Sequence, residues 1–153
     1  MDNKAISSVF EEIADILDIQ GADFFRVNAY RKAALTIGNL ATDLRSIFEK
    51  NPRDLENIPG IGRALREKIV ELIQTGKCKE HEELKKNFHP GLLEMLQLRG
   101  VGPKKIKLFY SELGITSLKQ LKAAAEKGLL RALPKMGEKS EADVIMAIEE
   151  HGR

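Results

Sequence analysis

The 153-residue sequence has no tryptophan, a single cysteine, three histidines and no long hydrophobic run. Each scarcity removes a class of protein. Cys78 alone cannot form an internal disulfide, and with His81, His89 and His151 scattered, no Cys/His zinc site of familiar spacing can be assembled. No apolar stretch approaches the roughly 18 residues that a membrane span needs. Residues 1–20 are acidic and amphipathic, unlike a basic segment followed by an apolar one, so the expectation is a cytoplasmic chain with no membrane contact. Sustained two-residue alternation is missing as well, which leaves the all-α class. With 42% hydrophobic and 31% charged residues, the chain can bury one moderate core or two small ones.

Net charge is low, at +2, but it is unevenly distributed. Residues 1–20 set Lys4 against Asp2, Glu11, Glu12, Asp15 and Asp18. Residues 99–135 set Arg99, Lys104, Lys105, Lys107, Lys119, Lys122, Lys127, Arg131 and Lys135 against only Glu112 and Glu126. Helix-surface lysines often form no more than a solvated face. A basic block of this size next to glycine turns points to nucleic acid.

Those turns are the most informative feature of the sequence. Ile58-Pro59-Gly60-Ile61-Gly62 is echoed by Leu98-Arg99-Gly100-Val101-Gly102 and by Leu133-Pro134-Lys135-Met136-Gly137, where Lys135 replaces the first glycine. An apolar residue follows each final glycine by seven positions: Ile69, Phe109 and Val144. Seven residues are two helical turns, so each copy reads as a tight turn entering a helix. The first amides of such a helix are free and carry the positive end of its dipole, and glycine lets a phosphate approach them. Contacts of this kind fix position without reading bases.

Around the turns the sequence predicts helices only. Residues 3–17 place Ile6, Val9, Phe10, Ile13, Ile16 and Leu17 on one stripe, with Asn3 available as N-cap. Further helices are expected from Ala22 to about Leu40 and from Thr42 or Asp43 to Glu49. A short one starts at Pro52, and the helix after the first turn stops at Gly76. Residues 77–90 are polar and end in His89-Pro90-Gly91, which reads as a hinge between domains 1–87 and 88–153. Beyond it come Leu92 to Leu98, a helix from Pro103 to Gly114, one capped by Thr116 or Ser117 and ending at Gly128, and a last one from about Ser140 to His151.

Two units of short helix, Gly-x-Gly turn and long helix resemble helix-hairpin-helix modules. Taken with Asn28-Ala29-Tyr30-Arg31-Lys32-Ala33-Ala34 and Thr75-Gly76-Lys77, the chain resembles the amino-terminal part of the family X DNA polymerases, the DNA polymerase beta group, in its bacterial and archaeal branch. The resemblance implies two small helical domains: a lyase-like domain with the first hairpin, and a DNA-binding subdomain with the second hairpin and a related third. It also implies binding to gapped or nicked DNA, of the kind met in base excision repair, with recognition of a 5′-phosphate; separately, the chain is expected to be a monomer.

By that resemblance, Arg26 and Tyr30, four apart on one helix face, meet the phosphate. Gly60, Ile61 and Gly62 form the first DNA contact, where Ala64 replaces a phosphate lysine of the family and Arg63 and Arg66 flank it on different sides of the helix; Gly100, Val101, Gly102, Lys104 and Lys105 form the second. Lys68 matches the family's Schiff-base lysine and Glu67 its acidic neighbour. Independently, Lys68 borders the buried stripe of Leu65, Ile69, Leu72 and Ile73, where partial burial would favour an uncharged, nucleophilic amine. The plainer reading is a lysine with its stem on the core and its head in water. Glu56 and Glu80 stand where the beta-type enzyme has lysines, which makes the pocket less basic.

The family also holds Na+ or K+ through turn carbonyls, here those of Glu56, Ile58 and Ile61, and of Leu96, Leu98 and Val101. Polymerisation requires Mg2+ bound by palm-domain carboxylates outside the matched region, so the chain alone is expected not to polymerise. Its end at His151-Gly152-Arg153 reads as the place where a palm would begin. Two rival readings remain: a deoxyribose-phosphate lyase acting through Lys68, and a hairpin module that docks on another protein.

Overall fold

The computed structural model describes residues 1–153 and contains nine α-helices, two short 3-10 turns and no strand, as the all-α expectation requires. The chain divides into two compact units, residues 1–18 with 22–86 and residues 19–21 with 87–153.

The first unit contains α1 (Asn3–Ile19), α2 (Phe24–Gly38), α3 (Leu44–Lys50), a 3-10 turn (Pro52–Asn57), α4 (Arg63–Thr75) and α5 (Lys79–Lys86). Its core takes Ile6, Phe10, Ile13 and Leu17 from α1, Val27, Tyr30, Ala33 and Ile37 from α2, and Leu65, Ile69, Leu72 and Ile73 from α4. The Phe10 and Tyr30 rings meet edge to face at 5.7 Å between centroids, a favoured aromatic geometry. On the rim of this core, Arg31 of α2 binds Glu11, Asp15 and Asp18 of α1 at 2.7, 2.9 and 3.1 Å, fixing the two helices side by side. Asp23 starts α2 by accepting from the amides of Phe25 and Arg26, and Gly76 ends α4 at φ 76°.

The second unit contains α6 (Pro90–Met95), α7 (Pro103–Leu113), α8 (Leu118–Glu126), a 3-10 turn (Leu130–Ala132) and α9 (Glu138–His151). Phe109, Leu121, Leu130, Met95 and Ile106 are wholly buried at its centre. Gly91 permits the tightest approach in the unit, because a Cβ there would stand 1.9 Å from the Thr116 carbonyl oxygen. Glu141 is buried at 2% exposure, and Arg131 satisfies it through its backbone amide at 2.9 Å, Nε at 3.0 Å and Nη2 at 2.8 Å.

Three local expectations are corrected. The polar stretch 77–90 holds a helix, α5, because Cys78, His81 and the half-buried Leu84 recur at helical spacing and turn inward. Asn3 is not the cap of α1. Asp2 accepts from the Ala5 amide at 2.8 Å, which frees Asn3 to accept from the Leu44 amide and donate to the Thr42 carbonyl. The last helix begins at Glu138, two residues earlier than expected, directly after Gly137.

Candidate nucleic-acid interface

The three glycine turns share one backbone path. In each, the third residue is left-handed: Gly60 at φ 80°, Gly100 at φ 78° and Lys135 at φ 63°. Val101 donates to the Leu98 carbonyl at 3.1 Å, and Met136 to that of Leu133 at 3.0 Å. This closes the kind of turn that needs positive φ at its third position. Ile61 and Val101 then point into their cores, at 4% and 5% exposure.

Gly62, Gly102 and Gly137 follow as N-caps in extended backbone, and their carbonyls accept the first helical bonds from Arg66, Ile106 and Glu141. No side chain caps any of the three helices, and a Cβ on any of these glycines would meet nothing within 4 Å. The backbone thus favours glycine at 60 and 100 for conformation, but places no steric demand on 62 and 102. Bare helix-start amides of this kind suit a phosphate.

Charge separates the three. Arg66 donates to the Ile61 carbonyl at 3.0 Å, and Lys105 to the Gly100 carbonyl at 3.0 Å, so each of the first two hairpins carries a cation folded over its turn. Lys104 stands exposed beside the second, while Arg63 is paired at 3.3 Å with Glu67 on an exposed face. The third has Glu138 exposed in the first turn of its helix, where it opposes a phosphate, while Glu141 of the same turn is buried and paired with Arg131. Lys135 keeps the turn geometry; the acidic first turn is what sets that hairpin apart.

Of the turn carbonyls, that of Ile61 accepts from Arg66 at 3.0 Å and that of Leu98 from the Val101 amide at 3.1 Å.

Arg26, Tyr30 and Lys68 do come together, and they converge on Glu80. Arg26 Nη2 donates to Glu80 Oε1 at 2.6 Å, Tyr30 Oη donates to Oε2 at 2.8 Å, and Lys68 Nζ lies 3.1 Å from Oε2. Burial alone would raise the Glu80 carboxyl, but donors from Tyr30, Lys68 and Arg26 outweigh it and hold the group below its usual value. Burial and the Glu80 carboxylate together push the Tyr30 phenol upward. Glu67 lies apart from this cluster, on Arg63.

Sequence reasoning noted Glu80 only as a missing lysine. Its role comes from α5, whose inward stripe of Cys78 and His81 was the available signal. Phe24 and Phe25, 71% and 78% exposed and stacked edge to face at 5.8 Å immediately before Arg26, also escaped it.

Residues 1–78 match the helix-hairpin-helix domain family, and residues 92–150 match the SAM-like helix-hairpin-helix tandem. Over all 153 residues the chain is 37% identical to DNA polymerase/3'-5' exonuclease PolX of Bacillus subtilis (strain 168), covering 26% of that protein. It is 30% identical over 121 residues, 78% of this chain, to DNA polymerase lambda of Arabidopsis thaliana, covering 22% of it. The chain therefore spans about a quarter of the length of these curated relatives. No helix is long and apolar enough to cross a membrane. With two basic hairpins on a common backbone path, the chain belongs to the helix-hairpin-helix domain family, as the DNA-binding region homologous to the amino-terminal part of family X DNA polymerases.

Proposed function

We propose that the chain grips DNA at gaps and nicks without reading sequence, as the DNA-holding part of a polymerase of the kind its relatives are named for. The first hairpin, Gly60 to Gly62 with Arg66, and the second, Gly100 to Gly102 with Lys104 and Lys105, each take a stretch of sugar-phosphate backbone on bare amides. Arg26, Tyr30 and Lys68 receive a 5′-terminal phosphate. The exposed Phe24 and Phe25 rings beside them offer a face for an unstacked base.

One observation carries this reading: a guanidinium, a phenol and an ammonium from α2 and α4 all aim at one small anion. Planar and point donors arranged this way suit a phosphate as well as a carboxylate. The test is titration of the chain with gapped duplexes that differ only in a 5′-phosphate or a 5′-hydroxyl at the downstream end. The phosphate is expected to tighten binding about tenfold, the scale of one charge-assisted hydrogen bond. Equal affinities that persist when the Glu80 carboxylate is removed would remove the pocket.

A further inference from the structure

The proposed phosphate pocket is already filled by the protein itself. Glu80 puts one oxygen on Arg26 and the other on Tyr30 and Lys68, so both oxygens and all three donors are engaged. The cluster is not sealed: the Arg26 side chain is 53% exposed and that of Glu80 24%, so a ligand can reach it and the carboxylate can turn outward. We infer that the Glu80 side chain is a built-in competitor for the 5′-phosphate, a latch that a terminal phosphomonoester must displace to enter. This rests on the reading of Arg26, Tyr30 and Lys68 as the 5′-phosphate site and extends it to how that site is controlled.

Charge arithmetic says which ligands can open the latch. Arg26 and Lys68 bring two positive charges and Glu80 one negative, so the closed cluster keeps a single uncompensated positive charge. An internal phosphodiester carries one negative charge; entering, it would exchange one monoanion for another and expel a carboxylate beside itself. A terminal phosphate carries about −1.5 to −2 near neutral pH and can satisfy both cations at once. The latch therefore yields to strand ends while internal phosphates leave it shut. Glu80 is ionised throughout this range, since its three donors hold its carboxyl low. Removing the carboxylate must raise affinity for the terminal phosphate, since displacement no longer costs three contacts.

The experiment compares the unaltered chain with Glu80→Gln and Glu80→Ala on gapped DNA bearing a 5′-phosphate or a 5′-hydroxyl. Glu82→Gln, an exposed acid in the same turn of α5, reports the general effect of removing one negative charge. Both Glu80 variants are expected to bind the 5′-phosphate duplex about tenfold tighter. The 5′-hydroxyl duplex should gain less, and Glu82→Gln should change both alike and slightly. An unchanged or weaker affinity for the phosphate duplex, or an equal gain on both duplexes, overturns the latch. Arg26→Ala separates this failure from that of the underlying reading. If the unaltered chain prefers the phosphate and Arg26→Ala loses that preference while the Glu80 variants change nothing, only the latch falls. If no protein in the series distinguishes the two ends, the phosphate site falls and the latch with it. Circular-dichroism melts establish that each variant is folded before its binding counts.

Discussion

Lys135 is the sole residue other than glycine at positive φ, and it occupies the position that Gly60 and Gly100 fill in the other hairpins. A left-handed conformation costs a residue with a Cβ about 1–2 kcal/mol. Glycine avoids that strain but loses about 0.5–1 kcal/mol of backbone entropy on folding. The balance favours glycine, so Lys135→Gly is expected to stabilise the second unit by up to about 1 kcal/mol. In a thermal melt this is a rise in Tm of a few degrees, on the order of 2–5 °C for a chain of this size. A Tm that stays level or falls would show that the lysine is held there by compensating contacts.

At the scale of the element, the starts of α4, α7 and α9 are alike in backbone and unlike in charge. Serine is a better N-cap than glycine by a few tenths of a kcal/mol, because its hydroxyl accepts from the free amides. Gly62→Ser and Gly102→Ser should therefore leave Tm level or slightly raised, since the added Cβ meets nothing within 4 Å. The same hydroxyl blocks the amides from an external phosphate, so affinity for DNA should drop about tenfold per hairpin. Gly137→Ser, at the acidic third hairpin, should stabilise without changing affinity. Undiminished binding by the first two variants would show that the amides are not the grip. These helices were legible in the sequence because one Gly-x-Gly turn recurs and because Ile69, Phe109 and Val144, all buried, keep a fixed distance from it. α5 was hidden, for its exposed face is dense with Lys79, Glu82, Glu83, Lys85 and Lys86, and that composition outweighs a stripe of only Cys78, His81 and Leu84. The cluster around Glu80 was half legible. Spacing puts Arg26 and Tyr30 on one face, but only tertiary structure brings Glu80 across fifty-odd residues to meet them.

Over the whole molecule, the net charge of +2 conceals how the charges are used. Much of the acidity of α1 is spent internally on Arg31, and in the second unit Arg99 is tied to Glu150 at 2.9 Å and Arg131 to Glu138 and Glu141. Lys104, Lys105, Lys107, Lys119, Lys122, Lys127 and Lys135 form no ion pair, so the basic segment keeps most of its charge available for a polyanion. Each phosphate such a cation neutralises releases counterions from the duplex and adds about −0.9 to the slope of log affinity against log salt. Two hairpins engaging about two phosphates each predict a slope of roughly −3 to −4, the same for duplexes of unrelated sequence. Lys104→Ala should make that slope shallower by about one, weakening every duplex alike. A module that docked on a protein partner through apolar contact would instead bind DNA weakly and show little response to salt. A slope near zero, or an affinity that depends on base sequence, would exclude a grip made of main-chain amides and lysines on phosphate.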